Sequence, residues 1–265
     1  MKEQAEVAQK YAQPRKTKLA DFFEEDNAEE EDKVPDYPVT IFYTREGYFK
    51  KITPLSLRMS GAQKLKDGDV IIDTIECKND INLLFFTNLR NVYKARAADF
   101  DETKASVIGD YVPSKLGMAE GETCVGMIAT ASFKGYGVFF YSNGKAARVP
   151  LDAYETKLNR KKLTGGYSAK GELVRSVGIE EDDEFALFST NGRCLMLSSA
   201  LIPVKTTKST QGVQVMTLRK GQTVKEVSSA SVIKKESKHR YRSKNLPAAG
   251  ALFHDTDAAD GIQRE

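Results

Sequence analysis

The chain predicts an all-β, propeller-like array of four blades, and three observations carry that prediction. One strand–turn–strand pattern recurs four times, each copy is followed by a glycine-centred turn, and the copies are spaced by about fifty residues. A period in that range belongs to arrays of stacked supersecondary units. The opening strands read 39–44, 81–87, 137–142 and 185–189, all dominated by apolar, aromatic and β-branched residues. Behind them stand the turns Arg45-Glu46-Gly47, Asn88-Leu89-Arg90, Asn143-Gly144 and Asn191-Gly192. The two Asn-Gly pairs favour type I′ hairpins, whose central residues need positive φ. The later turns centre on Gly68, Gly121, Gly171 and Gly221.

Taken in order, residues 1–18 read as a short N-terminal helix end, with good helix formers and no Gly or Pro before Pro14. No N-cap precedes it, so Met1 reads equally as a cut through a longer chain. Residues 19–38 form an acidic linker in which Glu24, Glu25, Asp26, Glu29, Glu30, Glu31 and Asp32 repel one another. Residues 39–230 form the four-bladed body, with polar connections such as 95–109 and 151–165 between hairpins. Residues 231–265 are a basic run, Lys234 to Lys244, and then a small-residue stretch with Asp255, Asp257 and Asp260. This tail is expected to be disordered unless something binds it.

A chain of 265 residues buries a sufficient core without disulfides. Cys77, Cys124 and Cys194 are isolated and odd in number, which suits a reducing cytosol and argues against a zinc site. No apolar run has membrane-spanning length and no signal-peptide core follows Met1, so a cytoplasmic protein with no membrane partner is expected. The net charge of +3 conceals a division. Residues 1–38 carry six Lys/Arg and eleven Asp/Glu, residues 39–230 twenty-seven and twenty-one, and residues 231–265 seven and five. A basic body behind an acidic leader points toward an anionic partner; the alternative is a plain solvated surface.

Catalytic chemistry is missing from the pattern. Tyr43, Tyr48, Tyr93 and Tyr141 sit in strands, where packing is their expected role. His239 and His254 accompany no Cys or Ser constellation. Gly135-Tyr136-Gly137 opens a strand and lacks the third glycine of a dinucleotide fingerprint. The run Glu180–Glu184 reads as a solvated loop. No catalytic residue, metal site or cofactor is expected within the chain.

Three segments carry a resemblance. Thr44–Lys51, with the hairpin Arg45-Glu46-Gly47-Tyr48-Phe49-Lys50, and Ser209–Met216 with Lys220-Gly221 are similar to the blade-opening and blade-closing patterns of the C-terminal domain of bacterial type IIA topoisomerase A subunits, the gyrase A and topoisomerase IV A group. Gln9–Thr17 resembles the stretch in that group where the long coiled-coil arm ends. The resemblance implies a β-pinwheel of four-stranded blades that exchange a strand with their neighbours, and duplex DNA bent or wrapped around a basic rim. Its implied partners are the rest of the homodimeric A subunit and the ATPase B subunit. Mg2+ and ATP would then serve the holoenzyme through other domains or subunits.

Four residues past the aligned turn position, marked by Gly47, Arg90, Gly144 and Gly192, stand Lys51, Lys94, Arg148 and Met196. With identical blade geometry the three cations would lie along one edge as a phosphate track. The full candidate DNA-binding set is Lys50, Lys51, Lys64, Lys66, Lys94, Arg96, Lys145, Arg148, Arg160, Lys161, Lys162 and Arg193. One departure stands out. Where gyrase carries a Gln-Arg-Arg-Gly-Gly-Arg-Gly type box, this chain reads Ser60-Gly61-Ala62-Gln63-Lys64-Leu65-Lys66-Asp67-Gly68, and Arg160–Gly166 has the composition without the order. The expectation is therefore a topoisomerase IV-like domain that presents the transported DNA for decatenation and relaxation. The alternatives are a gyrase domain with a degenerate box, or a β-propeller platform for protein partners.

Overall fold

The computed structural model describes residues 35–156 and 161–259. The expected helix end and most of the acidic linker, with Arg160, lie outside the described residues. In chain order the first eight strands are β1 (Pro38–Thr44), β2 (Tyr48–Ile52), β3 (Ile71–Lys78), β4 (Asn82–Thr87), β5 (Val92–Arg96), β6 (Asp110–Tyr111), β7 (Cys124–Thr130) and β8 (Tyr136–Tyr141). The second eight are β9 (Lys145–Pro150), β10 (Lys162–Leu163), β11 (Leu173–Ile179), β12 (Glu184–Ser189), β13 (Arg193–Ser198), β14 (Val213–Gln214), β15 (Val224–Ser229) and β16 (Ala251–Leu252).

They pair into four antiparallel sheets, ordered β3-β1-β2-β6, β7-β4-β5-β10, β11-β8-β9-β14 and β15-β12-β13-β16. The central hairpin of each sheet is one of the four repeats read from the sequence. In the first three blades the outermost strand arrives only after the chain has built the hairpin of the next blade: β6 follows β5, β10 follows β9, and β14 follows β13. This is the exchanged strand, and the array is a propeller-like arrangement of four blades.

The opening strands are apolar on both faces because each blade is packed on both sides. Successive residues of a strand point to opposite faces. Leu83 and Phe85 of β4 therefore join Ile41, Tyr43 and Phe49 of the first blade, while Leu84 and Phe86 join Phe139 and Tyr141 of the third. In β8 the other two residues, Val138 and Phe140, meet Phe185 and Leu187 of the fourth blade. Aromatic rings lock these joints, with Phe86 and Phe139 centroids 5.1 Å apart and Phe140 and Phe185 also 5.1 Å apart. Each fully buried aromatic or aliphatic side chain contributes roughly 1.5–3 kcal/mol, so the hydrophobic joints between blades hold the array together.

The aligned turn position has one conformation throughout. Gly47, Arg90, Gly144 and Gly192 have φ of 86°, 62°, 76° and 73°, so Arg90 holds a left-handed backbone that glycine adopts without cost. Their carbonyls accept the amides of Val112 (3.0 Å), Gly166 (2.8 Å), Val215 (2.9 Å) and Phe253 (2.8 Å) as each outermost segment arrives.

The tail differs from expectation. Residues 231–259 are folded onto the fourth blade: β16 pairs with β13 in the register Arg193↔Leu252 and Cys194↔Ala251. Tyr241 and Ile233 are buried beside Phe188 and Met196. The physical reason is that, among the described residues, no fifth hairpin covers β13 and the outer face of β12, and the tail supplies both the outer strand and the apolar cover. The folded body extends accordingly past residue 230.

Candidate nucleic-acid interface

The structure separates the candidate cations into those held inside the fold and those facing solvent. Lys51 is 3% exposed; its Nζ donates to Asn79 Oδ1 at 2.8 Å and to the carbonyl of Ala97 at 3.0 Å. Arg148 is 9% exposed. Its Nη1 pairs with Asp182 Oδ1 at 2.8 Å and donates to the carbonyl of Ser199 at 3.3 Å, and its guanidinium lies 4.0 Å from the Tyr136 ring centroid. The two arrangements are equivalent. Asn79 and Asp182 lie in the connections that enter the next blade, and Ala97 and Ser199 open the 3₁₀ turns, Ala97–Asp99 and Ser199–Leu201, that leave its hairpin. Half-buried Lys94 does the same toward the third blade, donating to Thr156 Oγ1 at 3.0 Å beside the Phe133 ring. Burial pushes the ammoniums of Lys51 and Lys94 below the ordinary lysine range. These three cations clasp each blade to the next, and the expected phosphate track through them is corrected on that ground.

Lys50 is also buried: its Nζ donates to the carbonyls of Lys64 (2.6 Å) and Ala105 (3.2 Å) and to Gln63 Oε1 (3.3 Å). The Gln and the backbone of the Lys in the box-like segment 60–68 therefore cap a buried ammonium. Lys145 reaches Gln211 Oε1 at 3.3 Å and Arg193 reaches the carbonyl of Gly250 at 2.6 Å; both latch an incoming outer segment. Lys162, on β10, sits over the Tyr93 ring and 3.4 Å from Glu122. Lys66 pairs with Glu46 at 2.6 Å on the surface. Lys64, Arg96 and Lys161 are exposed.

Glu122 anchors this neighbourhood. Its carboxylate accepts from Thr87 Oγ1 (2.6 Å), Asn91 Nδ2 (2.7 Å) and the Tyr93 hydroxyl (2.9 Å). Burial alone would raise its pKa, but these hydrogen bonds and the Ala119 amide outweigh it and bring the carboxyl down to about 2. Between the innermost strands β3 and β11, Arg175 pairs with Asp73 and donates to the carbonyl of Ile72 at 2.9 Å. Burial raises Asp73 to about 6 despite that partner.

Exposed cations that the hairpin register does not single out lie on the outer segments: Lys104 on the approach to β6, Lys205 before β14, and Arg219 and Lys220 after it. Position in an exchanged segment is the signal that would find them, and variable spacing from the hairpins conceals it. Among the described residues no group of three or more His, Cys, Asp or Glu is placed to hold a metal, and no helix is long and apolar enough to cross a membrane.

Four four-stranded blades, three of them completed by a strand exchanged across the next blade and the fourth by the tail, define a β-pinwheel. A family profile described as "DNA gyrase C-terminal domain, beta-propeller" matches residues 82–131 and 183–231, which are the spans β4–β7 and β12–β15 with their flanking residues. A probable chloroplastic/mitochondrial DNA gyrase A subunit from Oryza sativa subsp. japonica is 26% identical over 83% of this chain and 24% of its own length. The DNA topoisomerase 4 A subunit of Streptococcus pyogenes serotype M3 is 24% identical over 82% of this chain and 27% of its own. Among solved structures, a C-terminal domain of DNA topoisomerase IV superposes with TM-score 0.60 at 22% identity, over 74% of this chain and 62% of that one. The E. coli ParC C-terminal domain superposes with TM-score 0.55 at 14% identity, over 82% of this chain and 94% of that one. The chain is similar to the C-terminal domains of type II topoisomerase A subunits, the gyrase A and topoisomerase IV A group. It spans about a quarter of the length of the curated relatives it matches.

Proposed function

We propose that the domain binds and bends duplex DNA along the outer segments of its second to fourth blades, for a topoisomerase IV-like enzyme that decatenates and relaxes. One observation carries the DNA surface. Between Glu155 and Glu172 the sequence holds Lys157, Arg160, Lys161, Lys162 and Lys170 and no acid; between Glu184 and Glu226 it holds Arg193, Lys205, Lys208, Arg219, Lys220 and Lys225 and no acid. These stretches include the outermost strands β10 and β14. Acid-free runs of lysine and arginine on outer segments favour a polyanion, and phosphate contacts position such a ligand without reading its sequence. The decatenation reading rests on the absent Gln-Arg-Arg-Gly-Gly-Arg-Gly type box. The rest of the A subunit, its ATPase partner, and Mg2+ and ATP bound elsewhere complete the proposed enzyme.

Binding to a long duplex should weaken steeply with salt. Replacing exposed Lys161, Lys205 and Lys220 by alanine should flatten the log–log salt slope by about 0.9 for each phosphate no longer neutralised, with the thermal unfolding midpoint unchanged. An unchanged slope would sink the proposed surface, and salt-insensitive capture of a protein instead of DNA would favour the interaction platform. Net negative supercoiling of relaxed plasmid by the full A subunit with its ATPase partner would overturn the decatenation reading.

A further inference from the structure

The folded tail builds a basic pocket that the hairpin repeats do not explain. After β15 the chain makes a 3₁₀ turn, Ala230–Val232, and Ile233 forms an antiparallel bridge with Ala258. The amide of Lys234 donates to the carbonyl of Asp257 and that of Ala259 to Val232, both at 2.9 Å. Arg242 then bridges Met196 in parallel and the Ser243 amide donates to the Met196 carbonyl at 2.9 Å. On this frame opens a pocket of about 560 Å³ whose lining includes Lys234, Lys235, Lys238, His239 and Arg242 and, among the described residues, no carboxylate-bearing one.

Two nearby acids, Asp257 and Glu184, are engaged, and Glu236 is exposed to solvent. Asp257 accepts from Ser237 Oγ (2.7 Å), Arg240 Nη1 (2.8 Å) and the Tyr241 hydroxyl (2.5 Å), and does not line the pocket. Glu184 pairs with Arg242 at 2.8 Å and Lys234 Nζ donates to the carbonyl of Thr256 at 2.9 Å, so Lys235 and Lys238 are the lining cations offered to a ligand. The imidazole Nδ1 of His239 is 2.7 Å from the carbonyl of Glu236, so Nε2 is the ring atom left for a ligand. Cations gathered around one concavity repel each other until an anion occupies it, and lysine with arginine is the donor set that suits phosphate.

We propose that this pocket takes a phosphodiester of the DNA backbone and anchors the duplex on the last blade, beyond the acid-free stretch between Glu184 and Glu226. The proposal rests on the DNA-binding reading above. A bare phosphate presents the same chemistry, so the test separates the two sources.

The 265-residue chain has two histidines, which makes imidazole NMR a direct reporter, with His239 assigned through His239→Gln. A duplex of about 20 base pairs, longer than the roughly ten of one helical turn, and inorganic phosphate are titrated in parallel, with DNA affinity measured on the same samples. The expected result is a His239 shift that saturates with duplex, a far weaker response to inorganic phosphate, and loss of that shift in Lys235→Ala/Lys238→Ala. That variant should bind duplex roughly five- to twentyfold more weakly at low salt, with a slope smaller by about 0.9 for each phosphate no longer neutralised. Both side chains lie outside the buried core, and an unchanged thermal midpoint checks the fold. If duplex binds while His239 stays still and the variant binds as before, the pocket proposal fails and the DNA-binding reading stands. Saturation by inorganic phosphate at equal or lower concentration than duplex would make it a small-phosphate site and overturn the anchor. Absence of any duplex binding overturns both readings.

Discussion

At the joints between blades and at the outer flank of the fourth blade, one repeat position meets two environments. Lys51 and Arg148 sit where another blade follows, and each crosses to that blade's entry loop and to the carbonyl that opens its 3₁₀ turn. Met196 occupies the same place in the fourth blade, which the tail covers, and is fully buried among Phe188, Ile233 and Tyr241. The Gly-centred turns show a parallel change. Asp69, Glu122 and Glu172 follow the central glycine in the first three blades, and Gln222 in the fourth. Asp69 and Glu122 cap amides or hydroxyls as carboxylates, whereas Gln222 accepts from Thr190 Oγ1 at 2.8 Å through a neutral amide. Charge at these positions accompanies a neighbouring blade; where the array ends the same backbone uses neutral groups. The repeated cation is thus first a structural clasp.

The most severe test places the clasp where it has no partner. Met196→Lys puts an ammonium among apolar side chains, and an uncompensated buried charge costs about 3–5 kcal/mol. Urea unfolding should show a loss of stability of that size, or loss of the fourth blade as a separate early transition. A near-neutral variant would mean that the tail already offers acceptors, and the two environments would not differ as argued.

The reciprocal change is milder. Lys51→Met removes the donor and leaves the Ala97 carbonyl and the Asn79 side chain without it, at about 1–3 kcal/mol for each buried polar group left unsatisfied. Adding Asn79→Leu should recover part of the loss, since an apolar pair replaces a polar one. A double variant less stable than the single one would show that Asn79 acts through its other bonds, such as the one to the Pro35 carbonyl.

Hairpins, blade count and the central strand order are legible in the sequence because a period-2 apolar pattern on both faces, together with Asn-Gly turns, is local information. The outermost strands are harder to see. β6, β10, β14 and β16 have only two residues each, too short for any periodicity, and they pair with partners far away in sequence. Gly212 and Gly250 mark two of them. Both have positive φ, 68° and 69°, and a Cβ there would stand 2.0 Å from the Ala146 carbonyl oxygen and 2.5 Å from that of Cys194. Nothing around those glycines in the sequence announces such an approach. The tail looks disordered in the sequence for the same reason, its basic composition being visible and its pairing not. The cations of the candidate site are legible as a register but not as an environment. Burial of Lys51 and Arg148 is decided by what the next blade brings, and the exposed Lys205 and Lys220 belong to segments whose spacing from the hairpins varies.

The smallest expected effect concerns the acidic half of the comparison. Glu122 has no exposed side-chain surface and a carboxyl brought down to about 2 from its usual 4.5. A depressed carboxyl contributes stability that is present above its unfolded pKa and is lost as pH falls toward the folded value. Thermal midpoints should therefore fall as pH drops from 4.5 to about 2, and Glu122→Gln, which copies the last blade's Gln222, should flatten that fall while lowering stability at neutral pH. Asp73 acts with the opposite sign. Its folded pKa of about 6 lies above the usual 3.8, so the folded state binds the extra proton in that window and stability declines as pH rises through it. Asp73→Asn should remove this decline while leaving the acid limb intact. Two separate limbs, each erased by its own variant, would establish that the carboxylate network of the second blade and the Arg175–Asp73 link between inner strands are independent. If Glu122→Gln left the acid limb unchanged, the contrast between charged inner blades and a neutral last blade would hold for the cations alone.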